Sequence, residues 1–80
     1  MDMYQAIKTK YHGPTNARGS RLTARCQAKR ITVGWAHALS VEANHRAAAM
    51  ELVRSMGWGG EWYGGALPDG TGYAFVRVIR

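Results

Sequence analysis

The sequence predicts an α+β fold: a small antiparallel sheet in the order β-β-β-α-β-β, with one helix packed on one face. Three observations carry that expectation. "RLTARCQ" (21–27) and "RITVGW" (30–35) alternate apolar and polar residues, as strands with one wet face do. Residues 41–56 hold one helical pattern bounded by a capping serine and a glycine. "TGYAFVRVIR" closes the chain with β-branched and aromatic residues. Eighty residues, 46% of them hydrophobic, suit one small globular domain over 1–80 and leave no room for a second core.

The first strand is expected over 3–11, "MYQAIKTKY", with Met3, Ile7 and Tyr11 on one face and Tyr4, Lys8 and Lys10 on the other. "HGPTNARGS" gathers the residues that supply turn geometry, so 12–20 reads as a loop longer than a tight hairpin. In the next strand Leu22, Ala24 and Cys26 point one way and Arg21, Thr23, Arg25 and Gln27 the other. A short link leads to a third strand, where Ile31, Val33 and Trp35 share a face opposite Arg30 and Thr32. The helix has Ser40 as its N-cap, Glu42 in its first turn and Gly57 just past its end. Its apolar stripe runs through Val41, His45, Ala48, Ala49, Leu52, Val53 and Met56, with Arg46, Met50 and Arg54 turned away and a Glu42–Arg46 pair at i, i+4. A fourth strand is expected over "EWYGGAL" (61–67), a turn at "PDG", and a fifth over 71–80.

Charge is the most informative feature. Eleven Lys and Arg against five acids give +6, and the excess is one-sided. Between Met3 and Val41 lie Lys8, Lys10, Arg18, Arg21, Arg25, Lys29 and Arg30 with no acid, while four basic and four acidic residues balance from Glu42 onward. The strand assignments send Lys8, Lys10, Arg21, Arg25 and Arg30 out by the polar face, with Arg18 and Lys29 at the loops. An ordinary solvated face mixes signs. This one has none to mix, so a patch binding a polyanion or an acidic protein is expected. Tyr4 shares a face with Lys8 and Lys10, where a ring among cations suits stacking on a base. Trp58 and Trp62, set among glycines, are read as an exposed aromatic corner and a secondary contact.

Other chemistry finds little support. Five residues, not four, separate Gly13 from Gly19, no Lys follows, and a strand rather than a helix comes next, so the loop is not a phosphate-binding loop. His12, His37 and His45 do not stand at metal-ligand spacings, and His45 reads as a packing residue within the helix stripe. The carboxylates are scattered, no serine has a nucleophile-elbow context, and Cys26 alternates with core residues as a small hydrophobe. No catalytic site, cofactor or metal is expected. One cysteine fits a reducing compartment, and no apolar run is long enough for a signal peptide or a membrane span, so a soluble cytoplasmic protein is expected, monomeric or weakly dimeric.

"AIKTKYHGPTNARGSRLTARC", followed by "NHRAAA" on the helix and "GGALPDGTGYAFV" near the end, resembles a family of very small proteins encoded by phages and other mobile elements. The likeness runs along most of the chain, and it is similar to an anti-CRISPR inhibitor of a type I system. That resemblance implies a host-defence inhibitor in the cytoplasm of an infected bacterium, partnered by an acidic subunit surface of a CRISPR effector complex and blocking its target DNA. Clustered cations suit such docking and do not suit mimicry of DNA, which needs carboxylates. Two alternatives stay open: a small basic protein that binds nucleic acid directly, and an assembly protein that oligomerises through its aromatic corner.

Overall fold

The computed structural model describes residues 5–78, and the chain folds as the alternation requires. The elements are β1 (Ile7–His12), β2 (Arg21–Arg25), β3 (Arg30–Gly34), α1 (Val41–Ser55), β4 (Glu61–Ala66) and β5 (Gly72–Val78). The five strands form one sheet in the order β3-β2-β1-β5-β4, every neighbouring pair antiparallel. This is the α+β architecture expected, with α1 covering the inner face mainly across β2 and β1. The first strand therefore lies at the centre of the sheet, paired on one side with β2 and on the other with the last strand.

Period-2 alternation decides which side chains go inside. Ile7 and Thr9 of β1, Leu22 and Ala24 of β2, Trp62 of β4 and Phe75 of β5 are buried under Ala48, Ala49, Leu52 and Val53 of α1. The two alanines keep the helix close to the strands. Cys26, just beyond β2, is half-buried and packs against this core.

Both ends of α1 are fixed by local chemistry. The Ser40 hydroxyl accepts from the Ala43 N–H at 3.1 Å. At the other end Gly57 adopts φ +70°, its N–H donates to Arg54 O, and Trp58 N–H donates to Val53 O. That pair of bonds is a Schellman cap, and the left-handed residue it needs is a glycine.

Several expectations are corrected. Val41 is 54% exposed, because the first helical turn overhangs the sheet beside an open cavity and the buried position there belongs to Asn44. Met50 does not turn away; it is half-buried against the core, so the stripe is wider there than expected. The helix ion pair is Glu51–Arg54 at 2.6 Å, in place of the expected Glu42–Arg46. Trp62 is 1% exposed, so the aromatic corner is not a surface feature. Its ring stacks on half-buried Trp58 with centroids 5.6 Å apart, and its indole N–H donates to Gly59 O, because the glycine turn folds Trp58 back over the open end of the core. Tyr4 lies outside the described residues, as do the outer ends of the first and last expected strands. No helix among the described residues is long and apolar enough to cross a membrane.

Candidate polyanion interface

The outer face of β1, β2 and β3 carries the cations, and strand register sets their arrangement. Lys8 stands opposite Arg25, and Arg25 opposite Arg30, so three cations form one row across three strands. The next row is Lys10, Thr23 and Thr32; the third is His12, Arg21 and Gly34. Neighbouring side chains within a row stand about 5 Å apart, and successive rows about 7 Å, from ordinary sheet geometry. Lys8, Lys10, His12, Thr23, Arg25 and Arg30 line a shallow depression of about 250 Å³.

The lining of the depression is cationic and carries no carboxylate. Lys8, Lys10, Arg25 and Arg30 are exposed, and among the described residues none makes an ion pair. Like charges side by side are unfavourable, so this array is held together by the backbone ladder and not by attraction between its side chains. His12 reports the field. Its ring nitrogen Nε2 lies 3.0 Å from Thr23 Oγ1, and its pKa is pushed below the ordinary 6.5 first by burial, then by the charges of Arg21, Lys10, Arg30 and Arg18. His12 is thus held neutral while four cations surround it. The field also reaches Asp69 in the β4–β5 turn: bonds from Thr71 lower its pKa first, and Lys8 lowers it further.

The seven cations expected at the patch divide into three groups. Lys8, Lys10, Arg25 and Arg30 meet in the depression. Arg18 is exposed on the loop beyond the His12 end, and Lys29 on the β2–β3 link at the other, so both flank the site. Arg21 lies on the expected face but is half-buried, and its Nη1 donates to Gly13 O and Gly19 O at 3.4 Å each. It closes the base of the loop. Thr15 ties the loop internally by accepting from the N–H groups of Ala17 and Arg18.

Much of the sequence pattern behind the resemblance has a packing role. Asn44 is 2% exposed; its Oδ1 accepts from Ala36 N, and its Nδ2 donates to the carbonyls of Ala36, Leu39 and Ser40. Neighbouring His45 is tied to Thr9 at 2.7 Å, and Ala48 and Ala49 pack on the sheet. Tyr11 donates to Ser20 and meets Trp35 edge-on. Once these are accounted for, the exposed cations are the part of the pattern without a structural task.

The fold and this face define a small α+β domain with a cationic half-sheet. Comparison with known proteins finds no match among family models, curated proteins or solved structures.

Proposed function

We propose that this protein acts by binding, using the Lys8–Arg25–Arg30 face to dock on an acidic partner surface, and that the partner is a subunit of a type I CRISPR effector complex whose target DNA is thereby kept out. The observation that carries the docking mode is the cation row across β1, β2 and β3, no member of which makes an ion pair among the described residues. A cluster of exposed charges raises the association rate and orients the encounter, while each single pair contributes little. The choice of partner rests on the resemblance of the sequence to small phage-encoded inhibitors. Exposed Lys8, Lys10, Arg25 and Arg30, none of them in an ion pair among the described residues, suit docking on an acidic surface.

One observation favours a second reading, direct binding of nucleic acid. Lys8 and Lys10 supply two of the four cations that line the depression, and a lysine ammonium is a point donor suited to phosphate oxygens, whereas a built carboxylate interface favours arginine forks. A gel shift with labelled target DNA separates the two, comparing free DNA with DNA bound by a type I effector complex, at physiological salt. Loss of the complex–DNA band with free DNA unshifted is the expected result. A shift of free DNA by this protein alone replaces the proposal with the second reading. If neither band changes, inhibition of that system is refuted.

A further inference from the structure

A second concave site lies on the other side of the sheet, at the end where the first turn of α1 overhangs. It is a cavity of about 570 Å³ lined by Tyr11, Trp35, Val41, His45, Ala66 and Tyr73, with His37 and Thr71 at its rim. That volume lies within the range of small-molecule sites, which are mostly apolar with a few placed polar groups. Three aromatic rings and two aliphatic side chains supply the apolar walls.

The polar content is restricted by bonds already made. The Tyr11 hydroxyl donates to Ser20, and the Thr71 N–H and hydroxyl both donate to Asp69. His45 is different. It is 3% exposed, its ring packs on Tyr73 with centroids 4.5 Å apart, and its Nδ1 is 2.7 Å from Thr9 Oγ1. Thr9 Oγ1 also reaches Tyr73 O at 3.4 Å. A threonine hydroxyl has one proton, so both contacts are made together only when His45 Nδ1–H donates to Oγ1 and Oγ1–H donates to Tyr73 O. In that tautomer Nε2 carries a lone pair. Among the described residues no hydrogen bond to Nε2 exists, although the ring lines the cavity. Burial lowers the His45 pKa below 6.5, which keeps the ring neutral and Nε2 an acceptor at physiological pH.

The geometry points to a binding site for a small planar aromatic molecule of one or two fused rings that donates an N–H or O–H to His45 Nε2 and packs against Tyr11, Trp35 and Tyr73. A ligand lacking that proton leaves a buried acceptor unpaired, which is where selectivity arises. This site is independent of the cationic face, since Tyr11 and Tyr73 belong to the inner surface of the sheet and the cations to the outer.

Indole and N-methylindole, which differ by the single donor proton, are the probes. Titrated into ¹⁵N-labelled protein, indole shifts the amides of Tyr11, Val41, Thr71 and Tyr73 at up to millimolar concentration, and N-methylindole binds at least about 5-fold more weakly. His45→Phe abolishes the difference between the two probes. Should that variant unfold, Ala66→Trp, which fills the exposed rim from the end of β4, blocks both probes in a folded protein. Indole that moves none of these amides overturns the site, and equal affinity for the two probes overturns the role of Nε2.

Discussion

Asn44 holds the strand-to-helix connection with one carboxamide, taking the N–H and C=O of Ala36 together and reaching Leu39 O and Ser40 O besides. Asn44→Ala deletes all of these and leaves a hole beside the core, so a loss of about 2 kcal/mol is expected in urea unfolding, with the slope of the transition unchanged. A loss below a few tenths would mean that water replaces the carboxamide without cost. His45 makes a pH prediction at the same scale. Its folded pKa lies below the ordinary 6.5 because burial disfavours the imidazolium, and His12 is shifted in the same direction by burial and by its cationic neighbours. Near pH 6.5 the unfolded chain therefore binds more protons than the folded one. Stability is full above that value and falls as pH drops toward the folded pKa values, by at most about 1.4 kcal/mol per pH unit for each histidine. Melting temperatures between about pH 7.5 and pH 5.5 check this: the native protein loses stability on acidification, and His12→Gln/His45→Gln loses less.

At the scale of elements, the pairing of β4 with β5 depends on an absence. Gly64 stands opposite Phe75, and a Cβ at Gly64 would run into the Phe75 ring, which is 3% exposed. The glycine makes room for the ring to lie across the edge strand and close that end of the core. Gly64→Ala must displace a buried aromatic, and a destabilisation of about 1–3 kcal/mol is expected. Phe75→Leu in the same background should recover part of it, because a smaller side chain leaves room for the new methyl. A double-mutant cycle by chemical denaturation reads the coupling, and simple additivity would refute the contact as the cause. The helix shows the opposite dependence: its boundaries are local, set by the Ser40 hydroxyl at one end and the Schellman bonds of Gly57 and Trp58 at the other.

At the scale of the whole molecule the charge asymmetry becomes a polarity of faces, with the cations outside β1, β2 and β3 and the aromatic cavity inside. Charge reversal of Arg21, Arg25 and Arg30 would test the patch poorly, because Arg21 also binds the carbonyls of Gly13 and Gly19. Lys8→Glu/Arg25→Glu/Arg30→Glu is the cleaner variant, since all three side chains are exposed and make no hydrogen bond to another described residue. Partner binding is expected to fall at least about 100-fold at low salt, from the loss of steering and orientation by the row. The far-ultraviolet circular dichroism should stay native and the melting temperature should not fall, because the three glutamates repel one another no more than the three cations did, while each gains opposite charges such as Lys10 and Arg21 in the adjoining rows. Full binding by a folded triple variant would refute the face. If nucleic acid is the ligand, the native protein instead shows a log–log salt slope of about −0.9 per duplex phosphate neutralised, and the variant a shallower one.

The sequence by itself determined the element order, the helix caps, the inward residues of the first three strands and the side of the sheet from which the cations leave. All of these follow from local periodicity and local hydrogen bonds, which the chain carries within a few residues. It also showed the excess of cations before Val41, though not their rows. Tertiary structure decided that β1 lies between β2 and β5, and hence that Lys8 stands beside Arg25 and Arg30, with no residue of β4 or β5 adding a charge to that row. It decided that Trp62 is core, that Val41 is not, and that Arg21 serves its own loop. It brought His45 to Thr9 and placed its ring in the lining of an aromatic cavity, which no spacing in the sequence announced. The reason is common to all of these. Alternation fixes which face of an element a side chain occupies, whereas the neighbour it meets depends on which distant strands pair and how far the helix reaches across them, and both are settled by packing the whole chain at once.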